Sequence, residues 1–177
     1  MQLTYQAQNL NMIQHGLSVH KKYSELLNLT IFDKNHPSWL KDDLFRKFLI
    51  ENQFSFCDVK RYQIFHDCGK PYVRQIDSNN KVHFPNHAEV SGNIWEQLGG
   101  KQSETEMMKL DMQLHGKEFD LEKFSQSIYA PTLLLTSLAE IHANAEIFGG
   151  FASDSFKIKL KKIDQRGKQL RTIWTKT

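Results

Sequence analysis

Cysteine is nearly absent from this sequence, with Cys57 and Cys68 the only two in 177 residues. At most one disulfide is possible, which excludes a disulfide-stapled scaffold, and both side chains are read as free thiols. Nine glycines and four prolines exclude a low-complexity or collagen-like chain. No window approaches 18 uninterrupted apolar residues, and the polar start MQLTYQAQNLNMIQ has no basic segment followed by an apolar run. Neither a membrane span nor a secretory signal is therefore expected, and the expected setting is cytoplasmic. Charge of one sign is also scarce, since 23 Lys and Arg face 20 Asp and Glu for a net +3. What remains is an ordinary globular composition, 40% apolar and 24% charged, at a length that suits one domain. One residue type is plentiful: there are eight histidines, at positions 15, 20, 36, 66, 83, 87, 115 and 142.

The small net charge hides an asymmetry. Residues 1–150 carry 15 basic and 18 acidic side chains, whereas residues 151–177 carry eight basic and two acidic ones. This final stretch, which reads as a basic C-terminal extension packed on the domain of residues 1–150, interleaves Phe156, Ile158, Leu160 and Ile163 with Lys157, Lys159, Lys161 and Lys162. It reads either as a phosphate-steering surface, with Lys157, Lys159 and Lys161 as nucleic-acid contacts, or as a solvated basic face. The apolar and basic alternation through 156–160 leans towards a β-hairpin.

Before the tail the pattern is helical. Met12, Val19, Tyr23 and Leu26 recur at helical spacing from about Tyr5 to Leu29, which places His15 on the inward stripe. Ser38 is a candidate cap for a helix to about Asn52, with Leu40, Leu44, Phe48 and Leu49 on one side. Asp58–His66 forms another helix, ended by Gly69 and Pro71. A small two-stranded excursion follows around the polar turn at 77–80. Further helices are expected from Asn86 to Leu98, from Ser103 (with Glu106 as a capping box) to about His115, over 120–129, and over 132–148 after Pro131.

The chemistry concentrates in Phe65-His66-Asp67-Cys68-Gly69-Lys70-Pro71, where two adjacent metal-ligand types sit at a helix end. Alone, such a doublet is ordinary polar surface. Its company is more informative, because His15 points inward, His87 starts a helix, His115 ends one, and Glu140 lies in an otherwise apolar last helix. Imidazole and carboxylate are the ligand set of Mn, Fe, Zn or Mg hydrolytic sites, and the lack of paired cysteines excludes a structural thiolate zinc site.

On these residues the sequence resembles the HD-domain metal-dependent phosphohydrolases. The carrying elements are His15-Gly16-Leu17-Ser18-Val19, the doublet in HDCGKP, and Leu138-Ala139-Glu140-Ile141-His142-Ala143. The stretch HDCGKPYVRQIDSNNKVHFPNHAEVSG is similar to the HD domains attached to bacterial tRNA nucleotidyltransferases and poly(A) polymerases. The likeness covers about residues 8–148, and no counterpart of the nucleotidyltransferase domain is expected within these 177 residues. It implies an all-α HD-domain helical bundle with a small β-hairpin excursion. His15, His66 and Asp67 would ligate a first metal, Asp67 would bridge to a second, and His87 and His115 would complete the site. Helix-terminal imidazoles are the plainer reading of His87 and His115. Glu140 departs from the aspartate normal to the family and carries the same carboxylate on one more methylene. Lys70, with Arg74, would meet the substrate phosphate; a solvated turn residue is the plainer reading of Lys70.

The expected function is hydrolysis of nucleotidic phosphoesters by water activated on one or two divalent ions (Mn, Ni, Co, Fe, Mg or Zn). Substrates of this kind are 2′,3′-cyclic phosphates or monophosphates of nucleotides and RNA ends. Two alternatives stand beside it: a catalytically weak HD-fold module that binds nucleic acid through its tail, and a hydrolase of (d)NTPs or 5′-nucleotides. Among the other histidines, His36 is expected to be exposed and His142, about 200° round the helix from Glu140, to share no metal with it.

Overall fold

Apolar residues at Val19, Tyr23 and Leu26 bury one side of the first helix, α1 (Met12–Leu27). In the computed structural model, which describes residues 5–7 and 10–176, this helix begins later than the pattern predicts. The residues before it pair as two short antiparallel strands, β1 (Tyr5–Ala7) and β2 (Leu10–Asn11). The start itself is a reciprocal cap: the Gln14 amide donates to Asn11 Oδ1 at 2.9 Å, and the Asn11 amide donates to Gln14 Oε1 at 3.0 Å. The architecture is all-α with two small two-stranded sheets. Among the described residues no helix is long and apolar enough to cross a membrane. Both cysteines are free thiols.

Two units organise the chain, and each is discontinuous in sequence. Unit 1 takes the described residues of Met1–Ser18 together with Ser55–Met112. It contains α3 (Phe56–Phe65), the short α4 (Lys70–Val73), the hairpin β3 (Gln75–Ile76) and β4 (Val82–His83), α5 (His87–Gln97) and α6 (Gln102–Leu110). Val59, Tyr62, Met107 and Met108 are fully buried in it. The cap of α6 lies two residues earlier than Ser103 with Glu106: Lys101 is the N-cap and its amide donates to Glu104 Oε2 at 3.3 Å. Ser103 is engaged elsewhere, since its hydroxyl donates to Asp58 Oδ2 at 3.3 Å. Glu104 is buried, accepts from Arg61 Nε at 2.5 Å and from Trp95 Nε1 at 2.8 Å, and so ties α3, α5 and α6 together.

Unit 2 takes Val19–Phe54 and Gln113–Thr177. A 3-10 turn (Ser38–Lys41) precedes α2 (Asp43–Glu51), whose N-cap Asp42 accepts from the Phe45 amide. This change of phase within the expected single helix exposes Leu44 and buries Phe45. Next come α7 (Leu121–Ser125), α8 (Ala130–Ala143) and α9 (Asp154–Trp174). The tail is thus one 21-residue helix and not a hairpin, and α8 is not the last helix. Phe156, Ile163, Gly167 and Leu170 form the buried side of α9 at helical spacing, whereas Ile158, half of the apparent strand alternation, is exposed. Trp39 packs onto Gly167, Trp174 stacks on Phe45, and the Ser38 hydroxyl donates to Asp164 Oδ1 at 3.0 Å. Five cations of α9 are exposed: Lys168 and Arg171 are paired with Asp164 and Asp42 at 2.6 and 2.8 Å, Lys157 lies 3.8 Å from Asp154, and Lys159 and Lys161 stand beside them.

His36 is half-buried, contrary to expectation. Its Nδ1 lies 2.7 Å from Asp33 Oδ1, and its ring lies 5.4 Å from that of His142. His142 is buried and donates from Nε2 to the Asn35 carbonyl at 3.0 Å. Burial, with the His36 charge second, pushes its pKa from 6.5 down to about 4. The unfolded chain takes up this proton near pH 6.5 and the folded protein only near pH 4. The contribution to stability is therefore complete above pH 6.5 and is lost as pH falls through this window, at a cost of roughly 3 kcal/mol. Urea midpoints at pH 7 and pH 4.5 should differ less for His142→Gln than for the parent; an equal difference would count against this assignment.

Candidate metal centre

Two glycines shape the centre of unit 1. A Cβ at Gly16 would lie 2.5 Å from the carbonyl oxygens of Gln63 and Ile64, so only glycine lets the first turns of α1 rest directly on the end of α3. The preceding residue, His15, is thereby set beside His66, with ring centroids 5.4 Å apart and both rings buried. Gly69 plays the matching part at the turn after α3. Its amide donates to Ser91 Oγ at 2.9 Å, and a Cβ there would lie 2.6 Å from the Ser91 nitrogen and 2.8 Å from the His87 carbonyl. The turn therefore lies flat on the first turns of α5, and Asp67 is brought up to His87.

Asp67 is 1% exposed and stands at the middle of the cluster. Its Oδ2 is 3.4 Å from His66 Nε2, 3.7 Å from His15 Nε2 and 2.7 Å from Lys70 Nζ, while Oδ1 is 3.6 Å from His87 Nε2. Two of the imidazoles are oriented from behind. Nδ1 of His66 meets the Gln63 carbonyl at 2.8 Å, and Nδ1 of His87 meets the Phe84 carbonyl at 2.8 Å. A ring held at Nδ1 by a carbonyl turns Nε2 the other way, so both rings aim Nε2 at the Asp67 carboxylate. Three imidazole nitrogens and a carboxylate thus converge at 3.4–3.7 Å, with the Lys70 ammonium beside them. The donor set therefore fits a divalent cation of the nitrogen- and oxygen-preferring kind.

No family model, curated protein or solved structure matches this chain.

Other predicted residues fall as follows. Lys70 opens α4 and is bound to Asp67, with its ammonium 5.4 Å from the Phe84 ring centroid. Arg74 caps the C-terminal end of α4 and is exposed. His83 is paired with Asp77 on the hairpin at 2.8 Å. Cys68 is half-buried, and burial pushes its thiol pKa up, which suits an inert neighbour and not a nucleophile. His115 and Glu140 belong to unit 2, where Nε2 and Oε2 lie 3.2 Å apart. His115 does not end a helix, because α6 stops at Leu110 and the imidazole sits in the irregular segment after it. Glu140 is the half-buried acid on α8, a helix otherwise buried from Ala130 to Ala139.

Sequence reasoning missed Ser91, which receives the Gly69 amide, and did not separate Lys162 and Arg166 from the other tail charges. The signal for Arg166 was available: at helical spacing it follows Ile163 and precedes Leu170 on the buried side.

Proposed function

We propose that the protein is a divalent-metal-dependent phosphohydrolase acting on nucleotidic phosphoesters, with His15, His66, Asp67 and His87 of unit 1 as its metal-holding residues. The observation that carries this reading is the pair of carbonyl-oriented imidazoles, His66 and His87, which together with His15 face one buried carboxylate. The resemblance of HDCGKP and the histidine-headed helix to HD-domain proteins supports the same chemistry. A divalent ion held there would acidify a water towards neutral pH and offset charge on a phosphoryl oxygen. Asp67 and the three histidines fix the ion's place. Lys70 brings a positive charge to the same carboxylate and is within reach of an incoming phosphate, and the exposed Arg74 offers a second. Substrates of the proposed class are cyclic or terminal phosphoesters of nucleotides and RNA ends. Pairing of Lys168 and Arg171 within the protein supports this reading over a module that grips nucleic acid along α9.

Elemental analysis of the purified protein, followed by a phosphodiesterase and phosphatase screen with Mn, Ni, Co and Mg, tests the proposal. The expected result is at least one ion per chain and hydrolysis suppressed by a chelator. One ion fits the four residues of unit 1, and a second would fall to the His115 and Glu140 pair within unit 2. Absence of both metal and hydrolysis would overturn the proposal. If that absence came with salt-sensitive RNA binding weakened by replacing Lys157, Lys159 and Lys161, the binding module would take its place.

A further inference from the structure

A buried cation usually faces a carboxylate. Arg166 on α9 is 7% exposed, and the partners of its guanidinium are backbone carbonyls: Gln113 at 3.1 Å, Leu114, and Gly116 at 2.9 Å. One face of the guanidinium also covers the Phe119 ring at 4.4 Å from the centroid. One turn earlier on the same helix, Lys162 donates from Nζ to the remaining carbonyl of this run, that of His115, at 2.8 Å. Four consecutive carbonyls, 113 to 116, are thus held by two cations that project from one helix. Burial pushes the pKa of both groups down, so the arrangement carries a desolvation cost that the carbonyl dipoles offset. A segment without helix or strand gains from these bonds the backbone fixation that regular structure would otherwise supply. The side chain thereby fixed is His115, whose buried Nε2 faces Glu140 Oε2 at 3.2 Å.

We infer that Lys162 and Arg166 are positioning residues: they clamp the 113–116 backbone to α9 and so set the His115 imidazole opposite Glu140. This inference rests on the proposed function for the role of His115 but not for the clamp itself. It also gives the basic tail a task inside the protein, one that is separate from its exposed lysines.

The experiment uses the full chain without added metal. Lys162→Met removes one bond of the clamp, and Arg166→Lys keeps the charge but lacks the fork that reaches three carbonyls. In each variant, amide exchange over residues 114–119 should accelerate by roughly tenfold, as the loss of one charge-assisted hydrogen bond allows. The ring resonances of His115 should shift while α8 amides keep their protection, and Lys162→Arg should restore both readouts. With metal and substrate present, kcat should fall while KM stays put. Unchanged exchange and ring signals, or a uniform loss of protection across unit 2, would overturn the clamp. Because exchange is read without metal or turnover, an inactive parent protein would sink the proposed function and leave the clamp to be decided on its own.

Discussion

Replacing Asp67 by asparagine should strip the protein of bound divalent metal and lower metal-dependent hydrolysis by more than about 100-fold, the upper end of what loss of an outer-shell partner costs. The substitution is nearly isosteric, so the turn held by Gly69 and Ser91 keeps its shape and the helical circular dichroism should not change. What disappears is the one negative charge against which His15, His66 and His87 are arranged, all within 3.7 Å of it. An amide has at most a carbonyl to offer a cation, and its NH2 group would turn two donors towards the imidazole nitrogens or Lys70. Lys70 also loses its partner at 2.7 Å, so any residual phosphate binding should become tighter, not weaker. Metal content and turnover that survive Asp67→Asn would remove this carboxylate from the proposed site. Lys47→Ala, a surface change beside Glu51, serves as the control that alters charge alone.

Gly16→Ala should destabilise the fold by roughly 3 kcal/mol, at the upper end of ordinary overpacking. In a chain of this size the melting temperature should then fall by roughly 6–12 °C. The three atoms nearest the new methyl would all be backbone, the carbonyl oxygens of Gln63 and Ile64 at 2.5 Å and the Ile64 Cα at 2.6 Å, and backbone yields less readily than the end of a side chain. Relief requires α1 and the end of α3 to separate, and His15 and His66 ride on those two segments. Metal affinity should therefore fall together with stability. Gly99→Ala gives the comparison. Its φ of +79° strains alanine by about 1–2 kcal/mol, but the position is open and follows the end of α5 opposite to His87, so metal binding should persist. A Gly16→Ala protein as stable as its parent would show that the helices do not depend on this approach.

Much of unit 1 was readable in advance because its punctuation is local. Asn86 ahead of His87 opens α5, and the polar residues 77–80 turn the hairpin; Gly69 and Pro71, expected to end α3, instead open the short α4, and α3 stops at Phe65. Even the start of α1 was written in Asn11 and Gln14, although the apolar spacing alone carried the predicted helix back to Tyr5. The failures have a common cause in partners distant in sequence. Ser103 resembles a cap until Asp58, 45 residues away, takes its hydroxyl. Phe156, Ile158 and Leu160 alternate like a strand, and only the periodicity of all 21 residues of α9 shows which of them is buried. The convergence of His15, His66 and His87 on Asp67 lay beyond pattern reading, because it depends on two glycines whose missing side chains have meaning only once the opposing backbone is in place.

Unit 2 imposes a delay on the chain that makes it. Ser38 and its partner Asp164 are separated by 126 residues, and Trp39 needs Gly167 and its neighbours before it can leave water. At a synthesis rate of about 5–20 residues per second, roughly 6–25 s pass between the emergence of the two ends. During that interval Trp39, Leu40, Phe45 and Leu49, all fully buried in the finished protein, have no native cover from α9. Slow codons placed between the two segments would lengthen this exposure rather than aid folding.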